Sequence, residues 1–248
     1  RREGRVLKRY GHLSTGNYNP RTAKLYTDIS QLTADTALTT DMEHVFVHLA
    51  SQSKLPPLKK IWLAPFYLQR NLVAKVDSLA KSAAQGLACR IIVKMNALTD
   101  ETLIYSLMRA GKQGVQIDLI VRGACMLPAQ VPGQTDNIRV RSVIGRFLEH
   151  SRVFYFQQGE REDMYLSSAD WMNRNMVRRV EAAWPVTDPV QRQRLVDECL
   201  TAYLQDEVDA WELGADGVYV RCRTLPRKKA KGAQATLMAR YGRNIQGK

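Results

Sequence analysis

The sequence predicts an α/β protein of mixed α+β character, with mixed sheets flanked by helices. Three observations support this fold class. Short apolar segments alternate with helical segments in the middle of the chain, and strand-like segments follow one another after residue 137. In addition, 45% of the 248 residues are hydrophobic, which is enough for one large or two modest cores.

The N-terminal part of the chain predicts a hairpin followed by a helix. Residues 5–14 are predicted as one arm of the hairpin and residues 24–32 as another strand. Over residues 36–51 apolar side chains recur at helical spacing, which predicts a helix.

The central part of the chain predicts strands joined by helical crossovers, which is the pattern of a parallel sheet. Asp100 is suited to cap the second of these helices, and Gly111 is suited to end it. The predicted elements are strands at residues 61–66, 88–96 and 115–123 and helices at residues 68–85 and 100–110.

After residue 137 the sequence becomes rich in strand-like segments. A long amphipathic helix over residues 188–213 is predicted to close the fold. A loop or frayed arm then precedes a short helix at residues 235–241. The predicted strands lie at residues 137–145, 151–157, 164–170 and 178–184.

Two stretches of the chain resemble each other. RREGRVLKRYGHLSTGNYN at the N-terminus and QGEREDMYLSSADWMNRN further on each contain a charged turn, a strand and a polar loop. An acid follows each stretch, in LYTD and in RRVE. Two such units predict a pseudo-twofold arrangement with one cleft between them. The first unit has no counterpart of GRFLEHSRVFYF, so that strand is expected immediately before Arg1, as in a truncated chain.

The chain carries an excess of positive charge, with 37 basic and 24 acidic residues and a formal net charge of +13. Part of this excess is local, because nine Lys or Arg residues and no Asp or Glu follow Gly217. The excess predicts a polyanionic partner, such as nucleic acid, an anionic membrane surface or a phosphate-rich substrate.

The sequence favours a cytoplasmic protein. No apolar run approaches the roughly 18 residues that a transmembrane helix needs, and no signal peptide is evident. The four cysteines show neither CxxC pairing nor metal-ligand spacing, so a reducing compartment is the expectation. Peripheral association with a membrane stays open.

The stretch GRFLEHSRVFYF places a titratable ring, His150, between Arg146 and Arg152. Neighbouring cations favour a neutral imidazole, which suits a nucleophile or a phosphate ligand. On a strand, His150 and Arg152 share a face, and the SSADWMNRN loop is expected to bring Ser168 and Asn175 to the same end of the sheet. This combination predicts a site for a phosphoryl group. The alternative is a buried structural histidine beside a surface arginine.

The loop HLSTGNYN is the matching part of the first unit. Gly16 allows close approach of the backbone, while Thr15, Asn17 and Asn19 offer donors to oxyanions. His12 is predicted to belong to the same site. A plain turn with a histidine at the sheet edge is the alternative.

Three arginines add candidate anion ligands. Arg122 ends a predicted parallel strand, at the edge where ligands gather in open α/β sheets, and its guanidinium suits bidentate phosphate binding. Arg139 and Arg141 alternate on one face of the next strand and are predicted to line a channel for an extended polyanion. The alternatives are an ion pair for Arg122 and a solvated face for the other two.

Four motifs resemble, in this order, the C-terminal half of the long, histidine-phosphorylating polyphosphate kinases: HLSTGNYNPRTAKLYTD, LIVRG, NIRVRSVIGRFLEHSRVFYF and YLSSADWMNRN. The resemblance runs from Arg1 to about Tyr241 and implies two phospholipase D-like α/β domains. Residues 1–52 would be the remainder of the first domain, truncated at its N-terminus and joined by part of residues 137–150. Residues 53–222 would form the second domain, and residues 223–248 a basic tail.

The resemblance also implies a reaction and its residues. In that family the ATP γ-phosphate passes to a histidine and then to a growing polyphosphate chain, reversibly and with Mg²⁺. The resemblance assigns ATP binding to Tyr26, Arg122 and His150, with His150 as the second essential histidine, and matches His12 to a further catalytic histidine. The residues expected to contact phosphate or polyphosphate are Arg152, Arg139, Arg141, Asn17 and Ser168.

The phosphorylated histidine and the arginines linked to Mg²⁺ are expected upstream of Arg1. No metal ligand is therefore predicted within this chain, and the chain alone is expected to be inactive. ATP or ADP and inorganic polyphosphate are the implied partners, a homo-oligomer is the implied assembly, and nucleic acid is not expected.

Two rival functions stay open from the sequence. One is a phospholipase D-like phosphodiesterase or nuclease, for which two HxK motifs are typical, although Arg152 stands where the lysine would be. The other is a non-catalytic module that holds polyanions on its basic surface. Release of ADP from ATP, cleavage of a diester and salt-dependent filter binding distinguish the three functions.

Overall fold

The computed structural model describes residues 1–222 and 232–246. Its helices are α1 (Thr36–Ser51), α2 (Leu68–Ala84), α3 (Glu101–Lys112), α4 (Asn173–Val177), α5 (Pro189–Leu195), α6 (Ala202–Leu204) and α7 (Ala233–Gln246), with a π-helical turn at Val196–Thr201 and a 3₁₀ turn at Thr22–Lys24. The strands are β1 (Arg2–Glu3), β2 (Val6–Leu7), β3 (Gly11–Ser14), β4 (Tyr26–Thr27), β5 (Ser30–Thr33), β6 (Trp62–Ala64), β7 (Cys89–Met95), β8 (Gln116–Val121), β9 (Ile138–Val143), β10 (Leu148–Glu149), β11 (Arg152–Gln158), β12 (Arg161–Ser167), β13 (Glu181–Pro185), β14 (Ala210–Leu213) and β15 (Tyr219–Arg221).

A mixed sheet organises the described residues, in the order β15-β14-β9-β8-β7-β11-β12-β13-β6. Strands β7, β8 and β9 are parallel, and the other neighbours are antiparallel. The predicted mixed α/β fold and the predicted parallel crossovers at its centre are therefore confirmed.

Alternation along the central strands supplies a core on each face of the sheet. On β7, Ile91 and Val93 point into the layer formed with α2 and α3, whereas Ile92 faces the opposite layer. That second layer includes Leu38 of α1 and Leu200 from the π-helical turn. The result is a sheet covered by helices on both sides.

The N-terminal segment (residues 1–52) packs against the second face. Strands β3 and β5 pair antiparallel, from Gly11 opposite Thr33 to Ser14 opposite Ser30. The predicted helix over residues 36–51 is confirmed, and its N-cap Asp35 accepts a hydrogen bond from Leu38 N at 2.7 Å.

The predicted long helix over residues 188–213 is wrong in its second half. The helical stretch ends with α6, and residues 210–213 instead form β14, which pairs with β9. The physical reason is Asp206, whose Oδ1 accepts hydrogen bonds from the backbone N–H groups of Val208, Asp209 and Ala210. This carboxylate stabilises a turn where the helix was expected to continue.

The C-terminal region is more ordered than a basic tail. Residues 223–231 lie outside the described residues, but α7 is longer than the predicted short helix and begins inside the predicted loop. Ala233 and Gln234 at its start are buried, and Ala233 N donates to Asp206 Oδ2 at 2.6 Å. Within the described part of the chain, no helix is both long and apolar enough to cross a membrane.

Candidate active site

A cavity of about 420 Å³ lies at one edge of the main sheet. Strands β7 and β8 end at this edge, β12 ends there, and antiparallel β11 begins there. The loop that follows β3 in the N-terminal segment closes the other side. The lining residues include Thr15, Asn17, Tyr26, Asn96, Arg122, His150, Arg152, Ser168, Asp170, Arg174, Asn175, Arg179 and Glu181.

Tyr26 and His150 are brought together by a short parallel pairing. Strand β4 pairs with β10, so that Leu148 lies opposite Tyr26 and Glu149 opposite Thr27. His150 N extends the pairing with a hydrogen bond of 3.3 Å to Thr27 O. The Tyr26 and His150 rings meet with their centroids 4.5 Å apart, tilted by 41°. Two residues 124 positions apart in the sequence thus form one wall of the cavity.

Asp28 holds the His150 ring. Nδ1 of His150 lies 2.9 Å and 3.0 Å from the two carboxylate oxygens of Asp28, which also accepts a hydrogen bond of 2.8 Å from Thr15 Oγ1. A Cβ at Gly16 would lie 2.0 Å from Asp28 Oδ2, so only glycine leaves room for this carboxylate. The sequence analysis had noted the acid in LYTD without assigning it this role.

Arg152 lines the cavity and contacts several of its neighbours. Its guanidinium makes two hydrogen bonds to Asp170, at 3.2 Å and 2.9 Å, and a third of 2.8 Å to Thr15 O. Nη1 also lies 3.2 Å from both ring nitrogens of His150. Arg152 therefore braces His150 and Thr15, and its contact with phosphate stays a prediction.

Asp170 completes this arrangement. Burial raises the pKa of Asp170, but the hydrogen bond and charge of Arg152 and the hydrogen bonds from Asn96 outweigh burial, so that the pKa lies below its ordinary value. Asn96 N donates to Asp170 Oδ1 at 2.7 Å. The sequence analysis did not identify Asp170 or Asn96, since their partners are distant in the chain.

Three arginines face the cavity with capacity to bind an anion. Arg122 Nε donates to Asn96 Oδ1 at 3.1 Å, and no ion pair of Arg122 is found within residues 1–222 and 232–246. Arg174 and Arg179 line the cavity mouth, and the same described ranges contain no acidic partner for either. Their excess positive charge suits a polyanionic ligand. Sequence analysis quoted both without assigning them a role.

The predicted internal repeat is visible in the hydrogen bonds. Thr15 Oγ1 donates to Asp28, and Ser168 Oγ donates to Glu181; in each pair the two residues are 13 positions apart. The backbone N–H that follows each acid, at Ile29 and at Ala182, returns a hydrogen bond to the same hydroxyl. Asp28 and Glu181 are therefore equivalent acids of the repeat; Glu181 lines the cavity, and Asp28 contacts His150, which lines it too.

Glu181 differs from Asp28 in its other contacts. Glu181 Oε1 accepts a hydrogen bond of 2.7 Å from Asn175 Nδ2. Asn175 Oδ1 is buried without a partner among the described residues, so this amide retains unused acceptor capacity inside the cavity.

Three predicted site residues are not brought to the cavity. His12 is exposed on β3, and its Nδ1 lies 2.9 Å from Tyr18 Oη. Arg139 is exposed on β9. Arg141 shares its face, but β14 and the end of α6 cover it, so that its guanidinium donates to the carbonyls of Tyr203, Leu204 and Asp206 and to Glu212. Arg139 and Arg141 therefore do not line this cavity, and a polyanion contact along β9 stays a prediction.

The donor set of the cavity does not fit a resident metal ion. The described ranges contain no group of three or more His, Cys, Asp or Glu side chains placed to ligate one metal. The carboxylates of the cavity instead pair with His150, Arg152 and polar side chains.

Comparison with known proteins places this geometry in a family. The family model described as polyphosphate kinase C-terminal domain 2 matches residues 61–234, and that of C-terminal domain 1 matches residues 1–55. Polyphosphate kinases from Paraburkholderia phytofirmans and Pseudomonas aeruginosa are 47% and 48% identical over 95% and 96% of this chain. The chain spans about a third (34%) of the length of these relatives.

A solved structure agrees with these matches. The crystal structure of polyphosphate kinase from Porphyromonas gingivalis superposes on all of this chain and 38% of its own, at 31% identity and a TM-score of 0.90. The chain therefore belongs to the polyphosphate kinase family, whose C-terminal domains 1 and 2 it matches.

Proposed function

We propose that this chain forms the second half of the active site of a polyphosphate kinase that transfers the ATP γ-phosphate reversibly to polyphosphate through a phosphohistidine. The carrying observation is the cavity wall in which Asp28 orients His150 against Tyr26, with Arg122 across the cavity. The names of the relatives support the same substrates. ATP, ADP, polyphosphate, a cytoplasmic location and a homo-oligomeric assembly are parts of this proposal.

His150 acts on the oxygen that bridges the β- and γ-phosphates. Asp28 accepts a hydrogen bond from Nδ1, and in the doubly protonated form of the ring Nε2 donates a hydrogen bond to the leaving oxygen of ADP, with the Asp28 carboxylate balancing the charge. The P–O bond to ADP breaks as a nitrogen of the nucleophilic histidine forms a bond to phosphorus. In the second step a terminal oxygen of the polyphosphate chain attacks the same phosphorus, and the N–P bond breaks.

The remaining residues bind and align the substrates. Arg122, Arg174 and Arg179 neutralise the phosphate charges, which is the main work of a protein in phosphoryl transfer. Tyr26 packs against the adenine ring, where aromatic stacking is favourable. Asn17 lines the cavity and contacts phosphate oxygens, whereas Ser168, which also lines the cavity, donates its hydroxyl hydrogen to Glu181.

The nucleophilic histidine is proposed to lie upstream of Arg1, in the counterpart of the strand that carries His150. Glu181, the repeat equivalent of Asp28, lines the cavity and is the acid available to orient that histidine. Mg²⁺ would neutralise phosphate charge with ligands outside the described residues, and we assign no step of the reaction to it.

The test compares His150→Ala with His48→Ala in the full-length enzyme, measuring ADP and polyphosphate formed from ATP. His150→Ala is expected to lose about 10²–10⁴-fold in kcat, as removal of a general acid does, without a change in melting temperature. His48→Ala is the matched control and is expected to retain activity, because this histidine lies on α1 and does not line the cavity. Near-normal activity of His150→Ala, or diester cleavage by the wild type without ADP release, would contradict the proposal.

A further inference from the structure

The C-terminal helix α7 contacts the segment that carries His150 through one buried side chain. Gln234 is 5% exposed, and its Oε1 accepts a hydrogen bond of 2.9 Å from Phe147 N. Its Nε2 donates to Phe147 O at 2.8 Å and to Glu149 Oε1 at 2.6 Å. Because the Gln234 amide bonds both the backbone N–H and the backbone C=O of Phe147, it holds the backbone of Phe147 in one orientation.

The segment held in this way is the short strand β10. On one side, Leu148 N donates to Leu25 O at 3.0 Å and His150 N to Thr27 O at 3.3 Å. On the other side, the alternate residues Phe147 and Glu149 bind Gln234. Since the pairing with β4 covers only two residues, the three hydrogen bonds of Gln234 add to the support of this segment, beside those that Glu149 accepts from Thr27, Lys94 and Tyr203.

The fit between Gln234 and this segment is close. A Cβ at Gly145 would lie 2.6 Å from Gln234 Oε1, so a side chain there would displace the amide. The position of α7 is also fixed independently, because Ala233 N donates to Asp206 Oδ2 at 2.6 Å and Arg240 lies 3.3 Å from Glu198. Removing the amide therefore changes one contact without releasing the helix.

We infer that Gln234 is a positioning residue for phosphoryl transfer. It sets the place of residues 147–150 along β4, and hence the place of the His150 ring relative to Tyr26 and Asp28. The inference rests on the proposed function, because a misplaced His150 ring would be detected as a lower rate of phosphoryl transfer. Its structural part, the anchoring of residues 147–150 by α7, can be measured without any activity.

The experiment uses the full-length enzyme and three variants. Gln234→Ala removes the amide, and Gly145→Ala displaces it. Arg240→Ala is the matched control on the same helix, because it removes an exposed guanidinium from Glu198, which keeps its ion pair with Arg194. Hydrogen exchange of a peptide spanning residues 145–152 reports the anchoring. The kcat and KM for polyphosphate synthesis report the effect on the reaction.

Gln234→Ala is expected to speed exchange of the 145–152 peptide and to lower kcat by roughly 10- to 100-fold, the size of effect that a displacement of about 1 Å produces. Arg240→Ala is expected to change neither quantity. Gly145→Ala alone is expected to lower kcat as much as Gln234→Ala does. The double variant is expected to lose no more than either single variant, because both changes remove the same contact.

Two outcomes would overturn the inference: unchanged exchange in Gln234→Ala, or faster exchange with kcat within threefold of the wild type. A loss of kcat equal in Gln234→Ala and Arg240→Ala would also overturn it, since that pattern reports general destabilisation of α7. A wild-type enzyme that makes no polyphosphate would instead contradict the proposed function. In that event the exchange data would still show whether Gln234 anchors residues 147–150.

Discussion

Glu149 and His150 are consecutive residues, yet they belong to two different polar networks. Glu149 accepts hydrogen bonds from Thr27, Lys94, Tyr203 and Gln234, and its salt bridge to Lys94 is 2.6 Å long with both side chains 4% exposed. His150 is held by one carboxylate and borders an open cavity. The comparison shows a closed network, which fixes the backbone, beside an open one, which is available for a ligand.

Within the Glu149 network, burial and internal contacts shift the pKa values of Glu149 and Tyr203. Burial raises the pKa of Glu149, but the charge and hydrogen bond of Lys94, together with the hydrogen bonds of Gln234 and Thr27, outweigh burial and lower the pKa overall. Burial, and then the charge of Glu149, raise the pKa of Tyr203 far above its ordinary value, so Tyr203 stays a neutral donor. Glu149 is therefore ionised and Tyr203 neutral at neutral pH.

The largest expected effect tests whether the Glu149 network is sealed. Lys94→Met removes the cation and leaves a buried carboxylate without its counter-charge, which is expected to cost about 3–5 kcal/mol of unfolding free energy. Denaturant unfolding of the chain measures this loss. A loss below about 1 kcal/mol, the range of exposed pairs, would show that water reaches the network and would remove the contrast with His150.

The second prediction concerns the open network. Asp28→Asn keeps the shape of the side chain but removes the charge that orients His150, and it is expected to lower kcat about 10²-fold, or roughly 2.7 kcal/mol in barrier height. The steady-state rate of ADP formation by the full-length enzyme measures it. Thr15→Val, which removes only the second hydrogen bond to Asp28, is the control and is expected to have a smaller effect. Equal losses would mean that Asp28 acts by holding the loop.

A third prediction uses pH to separate the networks. The folded-state pKa of Glu149 lies below its ordinary value of 4.5, so its stabilising contribution is present above about pH 4.5 and is lost as pH falls through the lower folded value. The difference in unfolding free energy between wild type and Glu149→Gln should therefore narrow from pH 5 to pH 3. Glu160→Gln, at an exposed turn, is the matched control. A difference that is constant with pH would contradict the assignment.

The smallest expected effect is that of breaking an exposed ion pair, and it provides the reference for the loss of unfolding free energy expected of Lys94→Met. Arg109 and Asp77 form an ion pair of 3.1 Å in which the side chains are 58% and 39% exposed. Because solvent screens such a pair, Arg109→Ala is expected to cost less than about 1 kcal/mol in the same unfolding measurement. A loss comparable with that of Lys94→Met would mean that burial does not distinguish the networks.

Local patterns predicted the elements that this comparison depends on. The spacing of apolar residues was sufficient for α1 and for the central strands and helices, because these segments bury a regular face. The helical spacing of apolar residues wrongly predicted a helix at residues 205–213. The turn at Asp206 and the pairing of β14 with β9 depend on contacts that this spacing does not reveal. The partners of Arg141 were missed for the same reason: the strand that covers it could not be inferred from its own neighbourhood.

The candidate site was predicted in part. Tyr26, Arg122, His150, Asn17 and Ser168 do line one cavity. The residues that orient them were missed, because an acid in LYTD or SSAD does not indicate which distant side chain it will bind. The internal repeat offered a signal for Asp28 and Glu181, since each acid lies 13 residues after a hydroxyl that it binds.

The two-residue pairing of β4 with β10 joins the N-terminal segment to the strand that precedes His150, so the position of the His150 ring depends on how these two parts pack together. A slip of that pairing by one position would shift one strand about 3.3 Å past the other and turn alternate side chains to the opposite face. The rings of Tyr26 and His150, whose centroids lie 4.5 Å apart, would then separate, although the main sheet and the N-terminal segment remained folded. A substitution that weakens the pairing of β4 with β10 would therefore lower kcat before it lowers the free energy of unfolding, even if it lies far from the bound phosphates.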